Sequence, residues 1–180
     1  EHKKGFFLLE YHIKRITESA HYFNYPLSLK EIKEKLDMVR QQFGPLNYKV
    51  RLLLQADGDI EIQYFALPKF VQKTVTLKLS RLSVDSTDRF LFHKTTQRDV
   101  YRRAKASRSE CDDVLLYNEK NEITECSIYN VLVKIKNRLI TPARECGLLA
   151  GTYRQWLLDR KRIREGVITL LDLTDIREIY

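Results

Sequence analysis

Phe92-His93-Lys94-Thr95-Thr96-Gln97-Arg98 sets a lysine where the character of the chain changes. Before it, Asp85-Ser86-Thr87-Asp88 has the composition of a turn, and Phe90, Leu91 and Phe92 form a short apolar run. After it, Val100 and Ala104 lie four residues apart, which predicts a helix over about 96–106 with both facing inward. Lys94 thus stands at a helix entrance beside an apolar wall of Leu91 and Phe92, with Arg98 one helical turn on. A lysine amine attacks a carbonyl only when partly deprotonated, a state favoured by desolvation or a nearby cation. Read alone, a lysine in such a place is more often a solvated charge.

Toward the N-terminus, Leu9, Ile13, Ile16 and Ala20 recur on one face of a helix. His12 and Arg15 flank that face, and an arginine there could hold a phosphate bidentately. Asn24-Tyr25-Pro26 ends the helix, because the residue before proline avoids the helical region. Ser28-Leu29-Lys30-Glu31 is a capping box that opens a second helix with Ile32, Leu36, Val39 and Phe43 inward, and Gly44-Pro45 stops it. Strand formers over Tyr48–Gln55 and Ile60–Leu67, joined by Ala56-Asp57-Gly58-Asp59, predict a hairpin. Residues 68–73 are expected to link a small α/β domain, 1–67, to a larger strand-rich domain, 74–180, that carries the lysine. The strict alternation of Thr74–Leu79 predicts a strand with Val75, Leu77 and Leu79 on one face.

Toward the C-terminus, Asp113–Tyr117, Ser127–Lys134 and Arg138–Thr141, with turns at 118–121 and 136–137, predict a meandering sheet. Glu125 falls between the strand-like Glu122–Thr124 and the apolar Ile128, so partial burial is expected. A buried carboxylate needs a partner, and a protonated pyridine nitrogen would suit. Gly147-Leu148-Leu149-Ala150-Gly151-Thr152-Tyr153-Arg154 runs from a glycine-containing loop into a helix around Tyr153–Asp159. A helix N-terminus offers N–H groups and a positive dipole end to phosphate, Gly151 permits close approach, and the Thr152 hydroxyl can add a bond. The tail reads as Val167–Leu171, a turn or short helix at 172–175, and Ile176–Tyr180.

The bulk properties narrow the function classes. A chain of 180 residues, 43% hydrophobic and 31% charged, suits one large or two small globular domains. No apolar run approaches the roughly 20 residues of a membrane span. Phe6-Phe7-Leu8-Leu9 is too short for a secretory core and is interrupted by Glu10, so a cytoplasmic protein without a membrane partner is expected. Cys111, Cys126 and Cys146 are odd in number and lack metal-ligand spacing, which favours free thiols and no metal. The net charge of +8 is spread along the chain, with a small cluster at Arg160–Arg164. Without a zinc-finger or RRM signature, a small, multiply charged anion is a better expected partner than nucleic acid.

Taken together and in this order, four stretches resemble the class IV aminotransferases, the pyridoxal-phosphate enzymes of fold type IV. They are the His12-x-x-Arg15 helix, Lys94, Thr124-Glu125-Cys126-Ser127-x-x-Asn130 followed by Thr141-Pro142, and Gly151-x-x-Arg154. Phe92 through Tyr101, Asp112-Asp113-Val114-Leu115-Leu116 and Cys146 through Thr152 are most similar to the aminodeoxychorismate lyases, especially the lyase-like domain fused to aminodeoxychorismate synthase. The resemblance implies an α+β fold like that of D-amino-acid aminotransferase: a small helix-and-hairpin domain, then a larger strand-rich pseudobarrel.

The resemblance also implies pyridoxal 5'-phosphate held on Lys94, its phosphate on Arg15 and the N–H groups of Thr152 and Tyr153, and its ring nitrogen on Glu125. The implied reaction converts 4-amino-4-deoxychorismate to 4-aminobenzoate and pyruvate, a step toward folate. Arg51, Arg98 and Arg154 are candidates for the two substrate carboxylates, or else structural ion pairs. Alternatives are a transaminase of the same family, acting on branched-chain or D-amino acids, and a non-catalytic domain with an interaction role. The family implies a homodimer, and association with aminodeoxychorismate synthase is a further expectation. Tyr153 stands where many relatives carry threonine, and Thr152 would then supply the hydroxyl. Relative to the family, the chain begins at the first helix and stops before the usual closing strand.

Overall fold

The structure is a computed structural model and describes residues 5–68, 74–135, 138–176 and 178–180. The chain divides into two compact units, residues 1–73 and 74–180. Most of the expected linker, residues 69–73, lies outside the described residues, as does the expected turn at Lys136-Asn137. None of the described helices is long and apolar enough to cross a membrane.

The first unit is built from α1 (Leu9–Phe23), α2 (Leu29–Gln41) and an antiparallel hairpin of β1 (Tyr48–Leu54) and β2 (Ile60–Ala66). Asn24 closes α1 in the left-handed conformation just before Pro26. The Ser28 hydroxyl accepts the Glu31 N–H at 3.2 Å, as the capping box requires. Ile32, Leu36 and Ile60 form the buried centre, and Leu9, Ile13, Ile16, Val50, Leu52 and Ile62 pack around it. Phe43 lies beyond the end of α2 and stacks on Tyr48 with ring centroids 4.4 Å apart. Gly58 turns the hairpin at φ +94°, and a Cβ there would come within 2.9 Å of the Pro26 Cβ.

The second unit holds two three-stranded sheets. In the first, β3 (Leu77–Leu79) runs parallel to β4 (Asp113–Tyr117), which pairs antiparallel with β5 (Ile123–Cys126). In the second, β6 (Val133–Ile135) is antiparallel to β7 (Arg138–Pro142), which is parallel to β8 (Arg164–Gly166). Strand β4 is buried on both sides. Val114 and Leu116 pack with Val84, Leu91, Tyr101 and Ala104, whereas Leu115 packs with Ile123, Val131, Val133 and Ile168. The tail returns to this core: Leu132 and Tyr180 exchange backbone hydrogen bonds at 2.8 Å.

Several expectations are corrected here. The strand expected over 74–79 begins only at Leu77, because the Asp112 carboxylate takes the Thr76 N–H at 2.9 Å and Val75 is exposed. The strand expected over 127–134 is instead a loop that follows β5 and reaches β6 only at Val133. The Cys126 N–H donates to the Tyr129 carbonyl at 2.8 Å, closing a tight turn with Ile128 and Tyr129 outside. The apolar run before Lys94 is a short helix, α3 (Arg89–Phe92), capped by Asp88. The helix after it, α4 (Asp99–Ala106), starts three residues late because the Thr95 hydroxyl takes the Gln97 N–H at 3.2 Å. Strand β8 (Arg164–Gly166) is not among the expected strands, since Arg164 reads as the end of the basic cluster Arg160–Arg164.

Candidate active site

Strand β5 places Glu125 in the second unit with 4% of its surface exposed. It lies on the edge strand of the first sheet, whose four residues are nonetheless all buried. Among the described residues its carboxylate accepts three hydrogen bonds. The Tyr101 hydroxyl and the Leu149 N–H donate to Oε1 at 2.8 and 3.1 Å, and the Asn130 amide donates to Oε2 at 3.0 Å. All three donors are neutral, and no cation among the described residues makes an ion pair with it at 4 Å or less. Burial pushes the carboxyl up to about 7. The bonds from Tyr101 and Leu149, then the charges of Lys94 and Arg98, pull the other way. The Lys94 charge therefore acts on Glu125 through space.

Lys94 is exposed and lies in the connection between α3 and α4. Arg98 is turned inward. Its guanidinium donates to the Ser127 carbonyl and sits 4.4 Å from the centre of the Tyr101 ring. This anchors it against Tyr101.

The Asn130 amide nitrogen also donates to the Leu149 carbonyl at 2.8 Å, tying the loop after β5 to the loop that leads into α5 (Thr152–Asp159). Gly151 is the N-cap of α5, and a Cβ there would fall 1.9 Å from the Asn130 Oδ1, so only glycine fits. Glu125, Asn130, Leu149 and Gly151 thus form an unbroken chain of contacts from a buried carboxylate to a helix N-terminus, the kind of place where phosphate binds. Thr152 opens the helix, and Tyr153 stacks its exposed ring on Trp156 at 5.5 Å.

Arg154 takes the second of the two roles expected of it, a structural ion pair. It is buried, and its guanidinium donates to the Thr141 hydroxyl at 3.1 Å, to the Pro142 carbonyl at 2.8 Å and to Glu165. It is a structural ion pair joining α5 to β7 and β8. Arg51 stands on the exposed face of β1, opposite Val50 and Leu52. Arg15 is half-buried on α1 in the first unit, and desolvation lowers its pKa from the usual arginine value. His12, beside it, is exposed. Burial raises the Cys126 thiol, next to Glu125, to about 12, which keeps it protonated and unsuited to nucleophilic work.

Two residues that shape the site had no role in the sequence reading. Asn130 was part of a motif only, and Tyr101 was one helical residue among several. The available signal was that Tyr101 shares an inward face with Ala104 and lies three residues after Arg98.

All 180 residues match the sequence profile of the family described as amino-transferase class IV. The chain belongs to the class IV aminotransferases. These are pyridoxal-phosphate-dependent enzymes, as the resemblance implied, and the mixed α+β architecture is that of their fold. A Schizosaccharomyces pombe protein named "Putative aminodeoxychorismate lyase" is 32% identical over 178 residues, covering 95% of this chain and 76% of that one. The crystal structure of a "Putative amino-acid aminotransferase" from Mesorhizobium loti superposes with a TM-score of 0.91 at 30% identity, over 99% of this chain and 88% of that one. A hypothetical aminotransferase from Mycobacterium tuberculosis in its PLP-bound form shares the fold, with a TM-score of 0.80 at 21% identity over 96% of this chain and 70% of that one.

The residues present fit that cofactor. A lysine acts electrostatically on a buried carboxylate, and contacts lead from that carboxylate to a helix N-terminus whose N-cap must be glycine.

Proposed function

We propose that this chain is a pyridoxal-phosphate-dependent aminodeoxychorismate lyase that converts 4-amino-4-deoxychorismate to 4-aminobenzoate and pyruvate. The observation that carries the reading is Glu125, a buried carboxylate given three neutral donors and acted on by the Lys94 charge. Such a group suits a partner that arrives with its own positive charge. When bound, the cofactor supplies an electron-withdrawing ring to the substrate carbon that bears the amine.

Glu125 keeps the ring nitrogen protonated. Lys94 would hold the cofactor and, as a free amine, would remove the proton from that carbon. Its ammonium then gives a proton as enolpyruvate departs and the substrate ring becomes aromatic. Gly151 and the N–H groups of Thr152 and Tyr153 receive the phosphate. Arg15 is proposed as a further phosphate ligand on the resemblance of its helix, and Arg51 remains the candidate for a substrate carboxylate. A homodimer, an association with aminodeoxychorismate synthase, a cytoplasmic location and a place in folate biosynthesis are proposed on the resemblance.

The lyase reading draws on the Schizosaccharomyces pombe relative. The likeness to the Mesorhizobium loti protein favours a second reading, an amino-acid transaminase with the same first half-reaction. Purified protein supplied with 4-amino-4-deoxychorismate and pyridoxal phosphate should release pyruvate and 4-aminobenzoate without any keto acid. Turnover that requires a keto acid acceptor would replace the lyase with the transaminase.

A further inference from the structure

We propose that Tyr101 is a positioning residue that makes Glu125 selective for a ligand ring carrying an N–H donor. The inference rests on the reading of Glu125 as the pyridine partner and concerns how that partner is aimed. A carboxylate has about four acceptor positions, two on each oxygen. Tyr101 and Leu149 fill both positions on Oε1. Asn130 fills one on Oε2. Among the described residues, one acceptor position remains, and it lies on Oε2. A carboxylate bound this way cannot turn without breaking a bond to a buried donor, which costs about 1–3 kcal/mol.

The donors are themselves fixed. Tyr101 is 7% exposed on α4 and packs with Leu91, Ala104 and Val114. Its ring carries the Arg98 guanidinium, which is anchored on the Ser127 carbonyl of the loop that follows Glu125. The Ser127 hydroxyl is held in turn by the buried Asp113 on β4. The Leu149 donor is a backbone N–H, and the Asn130 amide is tied to the same residue's carbonyl. Of the three donors, Tyr101 is therefore the one whose loss changes Glu125 with the least change elsewhere.

Replacing Tyr101 by phenylalanine keeps the ring and deletes only the hydroxyl. It reopens one position on Oε1, so the carboxylate can offer two faces and is less firmly held as an anion. The test compares wild type, Tyr101→Phe and Arg98→Gln, using pyridoxal 5'-phosphate and its 1-deaza analogue, which has a carbon in place of the ring nitrogen. Dissociation constants are read from fluorescence quenching. In the cofactor-free proteins, the Glu125 carboxyl is titrated by carbon-13 NMR, its resonance identified by its loss in Glu125→Gln.

The expected result for Tyr101→Phe is roughly a tenfold loss of affinity for pyridoxal phosphate, little change for the deaza analogue, and a Glu125 midpoint raised by roughly one pH unit. Arg98→Gln should move the same quantities in the same direction by less, and it keeps the test available if the Tyr101 variant does not fold. Equal losses for both ligands would mean a merely structural role and would overturn the inference. Unchanged affinity with an unchanged midpoint would overturn it too, while leaving the lyase reading intact. Failure of the wild type to bind pyridoxal phosphate would instead remove the cofactor reading, and this inference with it.

Discussion

Glu125 and Arg154 are equally buried charges in the same unit, each 4% exposed, yet the chain treats them differently. Arg154 is answered within the protein: a carboxylate, a hydroxyl and a carbonyl receive its N–H groups and lock α5 to two strands. Glu125 receives three hydrogen bonds, but its donors are uncharged and its carboxyl is left near 7. A buried charge whose neutralising partner is built in serves the fold. One supplied with orienting donors and no built-in ion pair is suited to a charged ligand. The contrast predicts that the two residues rank oppositely in stability and in function.

The largest expected effect is on stability. Arg154→Met should destabilise the protein by about 3 kcal/mol, since it strands Glu165 and two buried acceptors. Glu125→Gln, measured beside it by denaturant titration at pH 8, should stay within about 1 kcal/mol of wild type while weakening cofactor binding. A reversed order of stability would break the comparison.

Next comes pH. Because burial raises the Glu125 pKa in the folded state above its ordinary value of 4.5 to about 7, the folded chain holds a proton that the unfolded chain has lost. Stability from this group is full below about 4.5 and is lost as pH rises through 7 and above, on the order of 3 kcal/mol in all. Thermal unfolding from pH 4.5 to 8 should show a downward slope in wild type that Glu125→Gln lacks. Parallel curves for the two proteins would contradict it.

Gly151→Ala should cost about 2 kcal/mol, because its methyl group would displace Asn130 and with it a donor to Glu125. Its signature is a melting-temperature loss accompanied by a raised Glu125 titration. The smallest effect is expected at Thr124, whose buried hydroxyl has no hydrogen-bond partner among the described residues. Thr124→Val should be neutral or stabilising by about 1 kcal/mol or less, as read by chemical denaturation, because it removes an unmet polar atom.

The contrast also explains what the sequence could disclose. Local rules gave the first unit nearly whole, since α1, α2 and the hairpin are each announced by an apolar period, a cap or a turn residue. The Gly151 loop was legible for the same reason. Long-range pairing was not. Nothing near Arg154 in the sequence names Glu165 as its partner, so the choice between a substrate arginine and a structural ion pair stayed open. Tyr101 lies 24 residues from Glu125 and makes sense only after α4 packs against β4. The parallel pairing of β8 depends likewise on β7, and its charges hid it.

Lys94 supplies the most direct test of the account. Protein incubated with pyridoxal phosphate, reduced with borohydride and digested should yield one modified peptide by mass spectrometry, the one containing Lys94. That peptide should be absent from Lys94→Ala. No adduct in the wild type, or an adduct centred on another lysine, would contradict the proposal that Lys94 supplies the reactive amine.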